Sequence, residues 1–299
     1  MRPKINQKEL FDRVIKNRES ILLEENKIPD TVLPRRPGQT YTGNKLDKVR
    51  SYLYAYSAII SNNFERFWYV ETCSGPGVIK VKDSGRLILG TPLLAMTNEP
   101  YFTGYRFIEQ DQGIANALKE RHKRYCPDLD VEVIVDDCND CFERVLSEIP
   151  SDDHVFVVMD PEGLELKWEK TVVPAARMKC SELFINFPYD MAIKRCINPQ
   201  YEATERTLTE CLGTEEWKDL RDKYNSREIT SNNLRDKFVQ LYVSGLQRLG
   251  LKEVQVSRLV RSDNNLPLYF LISASRERVA KDIMKDIMKV EVTKQEVLF

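Results

Sequence analysis

The residues best suited to chemistry lie in one short stretch, from Phe67 to Gly77. A β-prone run ends in Glu71 and passes into a loop in which Gly75 and Gly77 are two positions apart. Glycine lacks a Cβ and tolerates positive φ, so a ligand can approach such a backbone closely. At the carboxyl end of a strand, a loop of this kind lines the ligand crevice of an open α/β sheet. The stretch predicts a binding site with Glu71 as a hydrogen-bond acceptor; the alternative is an ordinary tight turn, because short glycine motifs are common.

Three further carboxylates follow β-prone runs along the chain. They are Glu109 after residues 105–108, Asp137 after residues 131–135, and Asp160 after residues 154–159. An acidic residue at the end of the second strand is placed to accept hydrogen bonds from ribose hydroxyls. We therefore expect the acidic strand ends to surround one crevice. For each carboxylate, the alternative is a solvated turn or a helix N-cap.

The elements that must position these residues alternate between strand and helix. Residues 154–159 are apolar throughout, as expected of a strand covered on both faces. Two further runs, 253–259 and 268–273, have no long helix between them and are joined by a turn at 262–265. The pattern predicts an α/β fold with a Rossmann-like, mostly parallel sheet of seven strands that ends in an antiparallel hairpin. A closing helix is expected at 276–289.

The first forty residues have a different character from the rest. Residues 7–26 follow the periodicity of an amphipathic helix, and a proline-containing linker with Arg35 and Arg36 comes next. We therefore predict a helical extension over 1–40 and an α/β domain over 41–299. Residues 189–230 are polar, without a strand signal, and are expected to form a helical insertion. Thr91 before Pro92 predicts a helix N-cap.

Composition limits the classes of function. The 299 residues are 42% hydrophobic with a net charge of −1, which argues against a globally basic nucleic-acid binder. The sequence shows no apolar run of about 18 residues, so no membrane span or membrane partner is expected. Seven scattered cysteines and the absence of an apolar leader favour reduced thiols and a cytoplasmic location. Cys138 and Cys141 form a lone CxxC without the other ligands that zinc requires, so no metal site is predicted.

Five β/α units closed by a hairpin resemble the class I S-adenosylmethionine-dependent methyltransferases. The stretch from Glu71 to Gly77 is similar to that family's first motif, with Cys73 in place of the first glycine. A dinucleotide fingerprint would require glycine where the chain has Lys80. More narrowly, the chain resembles the three-Cys-motif partner (TcmP) proteins. The matching stretches are Lys45 with the tyrosine-rich helix, 69–77, 90–94, 107–111, 159–164, 183–188 and 267–271.

The resemblance implies S-adenosylmethionine as cofactor and assigns roles to individual residues. The loop with Glu71, Cys73, Gly75 and Gly77 would hold its amino acid part, with backbone groups facing the carboxylate and amine. Glu109 would bind the ribose, and Asp137 and Cys138 would contact the adenine. Asp160 would face the methyl donor and the acceptor atom, as the catalytic residue. A protein that carries a three-Cys motif would be a partner.

Residues 160–163, Asp-Pro-Glu-Gly, are similar to the Asp-Pro-Pro-Tyr of enzymes that methylate planar amines. Glu162 and Gly163 replace its second proline and its aromatic residue, so the methyl acceptor stays open. Basic residues near the predicted crevice keep nucleic acid among the candidates.

A non-catalytic binding or scaffold protein is the first alternative function. A magnesium-dependent nuclease that uses Asp136, Asp137, Asp160 and Glu162 is the second.

Overall fold

The computed structural model describes residues 7–198, 201–262 and 264–276. The described residues form two compact units, which are divided between Asp136 and Asp137. Both units contain helices and strands, and most strand pairings of the first unit are parallel. This confirms the predicted α/β class. Over the described ranges, no helix is long and apolar enough to cross a membrane.

The first unit contains four helices and six strands within its described residues. The helices are α1 Gln7–Glu25, α2 Thr40–Asn63, α3 Thr91–Met96 and α4 Gln112–Tyr125. The strands are β1 Arg36–Gly38, β2 Phe67–Glu71, β3 Val78–Val81, β4 Leu87–Leu89, β5 Gly104–Glu109 and β6 Val131–Val135. Strand β5 lies between β2 and β6, and both pairings are parallel. A smaller sheet pairs β1 parallel and β4 antiparallel to β3.

Every residue of β2 is buried, which explains why this run is apolar except for its last residue.

Arg18 connects helix α1 to α3, because its guanidinium donates to the carbonyl of Leu94 and the hydroxyl of Thr97 at 2.9 Å. Burial lowers the pKa of Arg18 to about 9. The predicted N-terminal helix is therefore confirmed as a packed element of the first unit.

The second unit contains the following described elements. The helices are α5 Cys138–Ser147, α6 Val172–Arg177, α7 Lys194–Cys196, α8 Glu202–Leu212, α9 Trp217–Asn225 and α10 Ser231–Arg248, with a π-helical turn at Tyr189–Ile193. The strands are β7 His154–Met159, β8 Ser181–Phe187, β9 Glu253–Val256, β10 Val260–Arg261 and β11 Pro267–Ser275. Strand β7 is parallel to β8, and β11 is antiparallel to β8, β9 and β10.

The C-terminal hairpin differs from the two-strand prediction. Strand β11 pairs with two short strands, β9 and β10, where one strand was predicted. Apart from β1, β3 and β4 of the smaller sheet, the described residues therefore form eight strands in place of the seven expected. The interruption lies at Ser257. Its hydroxyl oxygen accepts the N–H of Leu271 at 2.9 Å, an N–H that a continuous ladder would give to a backbone carbonyl. The predicted turn is confirmed, because the Asn265 N–H donates to the Ser262 carbonyl at 2.9 Å.

Several helix boundaries also differ from their predictions. The N-cap of α3 is Gly90 and Thr91 is already helical, so the predicted Thr91 cap is wrong by one residue. The sequence also predicts helices at 44–62, 141–149 and 168–178. Helix α5 begins at Cys138 instead of 141, because the Asp137 carboxylate caps it. Helix α2 begins at Thr40, four residues before the predicted start. Helix α6 is shorter than the predicted 168–178. The closing helix predicted at 276–289 lies almost entirely outside the described residues, and the division into 1–40 and 41–299 stays a prediction.

Glu182 makes the stability of the second unit depend on pH. It lies in β8 opposite Phe156 and Ser275, and within the described residues its Oε1 has no hydrogen-bond partner. Burial raises its pKa from 4.5 to about 8. A raised pKa contributes stability below the unfolded value, and that stability is lost as pH rises through the folded value.

We therefore expect the free energy of unfolding to fall between pH 5 and pH 9, by about 3–5 kcal/mol from this group at about 1.4 kcal/mol per pKa unit. Glu182→Gln, which cannot ionise, should flatten the profile. Urea unfolding at pH 5, 7 and 9 measures this, with the exposed Glu148→Gln as control. Parallel profiles for the wild type and the Gln variant would contradict the assignment.

Candidate functional site

The glycine loop after β2 is fixed by hydrogen bonds to the end of β5. The Ser74 N–H donates to the Ile108 carbonyl at 3.0 Å, and the Gly75 N–H donates to Glu109 Oε2 at 2.9 Å. Gly75 and Gly77 have φ of +67° and +84°, in the left-handed region that favours glycine. The loop is therefore a rigid turn, and its two glycines occur where the backbone has a positive φ.

Glu71 lies buried beneath this loop. Its Oε2 accepts the Tyr69 hydroxyl at 3.0 Å, and its Oε1 accepts the Thr91 hydroxyl. The Thr91 side chain thus binds Glu71 instead of capping α3. Both acceptor contacts are made inside the protein, and contact of Glu71 with a ligand stays a prediction.

Glu109 connects the loop to its own strand end. Its second oxygen, Oε1, accepts the Asp111 N–H at 3.0 Å, and the side chain is half-buried. A carboxylate offers about four lone-pair sites. Two backbone N–H groups therefore orient Glu109 and still leave capacity for ligand hydroxyls.

Gly77 is packed so closely that a side chain there would collide. A Cβ at this position would lie 3.1 Å from Leu118 Cδ1 and 3.2 Å from Leu93 Cγ. Gly85 has a similar φ of +67°, with no heavy atom within 4 Å of such a Cβ among the described residues. Substitutions at Gly77 and Gly85 can therefore be compared to separate the free-energy cost of crowding from that of backbone strain.

Gly77→Ala should lower the free energy of unfolding by about 2–4 kcal/mol, of which strain supplies roughly 1–2 and overpacking the rest. Gly85→Ala should cost the strain alone. Urea denaturation of the two variants beside the wild type tests this, and equal losses would show that Leu93 and Leu118 yield freely.

A buried ion pair links the glycine loop to the N-terminal extension. Arg121 in α4 donates to both oxygens of Glu25 in α1 at 2.9 Å, and both side chains are fully buried. The same guanidinium donates to the carbonyls of Pro34 and Pro76 at 2.9 Å. Pro76 belongs to the glycine loop, so the extension and the loop share one cation. Sequence reasoning missed this contact, because 96 residues separate Glu25 from Arg121 and no local pattern connects them.

In the second unit, Asp160 is paired with Asn186. The register places Met159 beside Ile185 on parallel strands, so the next residue of each strand lies at the same carboxyl end. The Asn186 amide donates to Asp160 Oδ1 at 2.9 Å. The side-chain oxygen of Asn186, Oδ1, is buried and has no hydrogen-bond partner among the described residues. Asn186 was not predicted as a site residue; it lies within β8, one position before that strand ends, whereas Asp160 directly follows β7.

Asp137 and Cys138 lie at the start of α5. The Asp137 carboxylate accepts the backbone N–H of Asn139 at 2.8 Å and its side-chain amide at 2.9 Å, and Cys138 is buried. The helix-cap alternative thus describes Asp137 correctly. Contact of these two residues with an adenine stays a prediction.

The cysteines and carboxylates give no metal centre among the described residues. All seven cysteines are free thiols. Across the described ranges, no three side chains of His, Cys, Asp or Glu are grouped so that they could hold a metal ion. Burial raises the pKa of Cys126 to about 11, so this thiol is not activated.

The glycine loop also contains an unsatisfied polar atom that suits a small polar ligand. Ser74 Oγ is buried and has no hydrogen-bond partner within the described part of the chain. A buried hydroxyl left in this state is costly unless another molecule completes its bonding. Together with Glu109, it gives the loop a hydroxyl and a carboxylate suited to a ligand with hydroxyl and amino groups.

No protein-family model matches the chain, and no curated protein matches it. Several solved structures, in contrast, are similar to this chain. Protein LPL1258 from Legionella pneumophila, of family model DUF519, has a TM-score of 0.52 at 11% identity over 81% of this chain and 90% of its own. The O-methyltransferase from Bacillus cereus, solved with S-adenosylhomocysteine, has a TM-score of 0.46 at 11% identity, over 87% of this chain and 90% of its own.

The O-methyltransferase TomG from Streptomyces achromogenes, solved with S-adenosylmethionine, has a TM-score of 0.42 at 13% identity over 89% of this chain and 90% of its own. At these identities, the similarity to the Legionella protein shows a shared fold alone. The chemistry has to be argued from the side chains.

Proposed function

We propose that this protein transfers a methyl group from S-adenosylmethionine to a substrate that carries an N–H or O–H group. The observation that carries the proposal is the hydrogen bond of 2.9 Å between the Gly75 N–H and Glu109. It joins a glycine turn at the end of one strand to an oriented carboxylate at the end of the next. Such a pair is suited to hold the two halves of a nucleoside derivative.

In this proposal, Glu109 and the glycine loop bind and orient the ribose and the amino acid part of the cofactor. Glu109 accepts the ribose hydroxyls, and the loop with Cys73, Gly75 and Gly77 lies against the amino acid part. Glu71 supports the loop from beneath. When bound, S-adenosylmethionine supplies an electrophilic methyl group, so the protein chiefly provides alignment and a dry site. Asp137 and Cys138 are assigned to the adenine.

The acceptor side of the reaction is assigned to Asp160 and Asn186. Asp160 orients the incoming N–H or O–H and takes its proton, a contribution of about 10²–10⁴-fold in rate. The unpartnered Oδ1 of Asn186 accepts a second hydrogen from the substrate. Two hydrogen-bond acceptors side by side favour an acceptor atom that carries hydrogens, such as an amine. We further propose that the protein acts as a TcmP-type methyltransferase, with a three-Cys-motif protein as partner and nucleic acid as the first substrate to test.

A second candidate is a non-catalytic binding protein on the same fold. It is favoured by the loop amides, because the Ser74 and Gly75 N–H groups are already bonded inside the protein. Methyl transfer from tritiated S-adenosylmethionine to RNA, DNA and protein pools separates the two. Labelling of one pool by the wild type supports the enzyme. Cofactor binding without labelling of any pool would favour the binding protein.

A further inference from the structure

Two backbone donors of the glycine loop are already bonded inside the protein. The Ser74 N–H is bonded to Ile108 and the Gly75 N–H to Glu109. The expectation that backbone groups face the cofactor carboxylate therefore does not hold for these two amides. Glu71 and Glu109 add negative charge near the loop, which repels a carboxylate. A carboxylate bound here needs a cationic side chain as its partner.

We propose that Arg36 is that side chain and that it binds the carboxylate of the methionine part of S-adenosylmethionine; this inference rests on the proposed function. Arg36 Nη1 lies 3.6 Å from the position that a Cβ on Gly75 would occupy. The guanidinium thus lies directly against the loop, on the side of Gly75 where the absent side chain leaves space. A ligand that approaches the glycine backbone from this side meets Arg36.

The backbone of Arg36 is held in place by the small sheet. Strand β1 pairs parallel with β3, with Arg36 opposite Ile79 and Gly38 opposite Val81. The Lys82 N–H donates to the Gly38 carbonyl at 3.0 Å and extends the pairing. This sheet gives β1 a role: it fixes the linker so that one arginine reaches the loop. A positioned guanidinium binds a ligand more tightly than one on a mobile arm, because less freedom is lost on binding.

The neighbouring cations are engaged with acids of the same unit. Arg35 donates to Glu25 and Asp30, and Lys80 donates to Asp30 at 2.9 Å. Arg121 is fully buried against Glu25. Arg36 has contacts of its own in the fold, but a guanidinium carries five N–H donors. Its planar fork matches both oxygens of a carboxylate, which an ammonium does not.

The test compares two ligands that differ by one carboxylate, S-adenosylmethionine and its decarboxylated form, which keeps the sulfonium and the amine. Titration calorimetry measures the Kd of both for the wild type, Arg36→Gln and Arg36→Lys. The wild type should bind the carboxylated ligand more tightly. Arg36→Gln should weaken its binding by about 10–100-fold, the range for a lost charge-assisted bond. It should leave the decarboxylated ligand within about threefold, and Arg36→Lys should fall between.

Arg86→Gln is the matched control, since Arg86 is an exposed arginine next to the same small sheet. It should change neither Kd, and thermal unfolding should show all variants folded. Equal weakening of both ligands by Arg36→Gln would overturn the inference, because Arg36 would then only support the loop. Equal affinity of the wild type for both ligands would overturn it while leaving the proposed function intact. Binding of neither ligand would overturn both.

Discussion

Replacing Arg121 by methionine is expected to lower the free energy of unfolding by about 3–5 kcal/mol. Methionine keeps much of the volume but removes the cation, so the fully buried carboxylate of Glu25 loses its bidentate partner. The carbonyls of Pro34 and Pro76 lose their donor at the same time. Urea denaturation measures the loss directly.

The control is Arg144→Gln, which breaks an exposed pair with Glu148 in α5. Surface pairs of this kind contribute roughly 0–1 kcal/mol, so this variant should unfold almost like the wild type. A double variant, Arg121→Met with Glu25→Gln, should recover part of the loss because the buried carboxylate charge is removed, while Arg35 keeps Asp30 as its acidic partner. A single variant as stable as the wild type would show that Arg35, the other cationic partner of Glu25, satisfies the carboxylate alone or that Glu25 protonates without cost.

Asp160→Asn is expected to lower the rate of methyl transfer by about 10²–10⁴-fold, the usual contribution of a general base. The amide has the same shape and can still accept a hydrogen bond from Asn186, but it cannot take a proton at neutral pH. The Kd for S-adenosylmethionine should stay close to that of the wild type. Single-turnover methylation of the labelled substrate pool, beside calorimetry of the cofactor, measures both quantities.

Asp152→Asn serves as the matched control, because Asp152 is an exposed carboxylate paired with Lys179 in the same unit. It should leave the rate unchanged. An Asp160→Asn variant that transfers methyl groups at the wild-type rate would remove Asp160 from the catalytic role. The Asn186 oxygen, which has no hydrogen-bond partner in the described part of the chain, would then have to be explained by a binding role alone.

The sequence predicted β2 and β7 well because each is a short apolar run bounded by a turn. The run at 154–159 is buried at every position in β7, as a strand covered on both faces should be. Gly75 and Gly77 were identified by their spacing, and their positive φ gives the physical reason. These features are local, so residues close in sequence carry the signal.

Contacts between distant residues could not be predicted in the same way. Asn186 meets Asp160 because two strands run parallel in one particular register, which the sequence does not state. Arg36 was placed in a linker, because a three-residue strand has no periodicity that could reveal it. Asp137 was predicted to contact a ligand, and in the structure it caps α5. A carboxylate at the end of a strand has the same sequence pattern whether it caps a helix or binds a ligand.

We propose that the turn after β2 and the carboxylate of Glu109 hold S-adenosylmethionine. Titration calorimetry of the folded protein with S-adenosylmethionine and S-adenosylhomocysteine tests this binding, with Glu109→Gln as the variant. We expect saturable binding of both ligands, weakened at least about tenfold by Glu109→Gln through loss of charge-assisted hydrogen bonds to the ribose. Folded wild-type protein that binds neither ligand at millimolar concentration would contradict it.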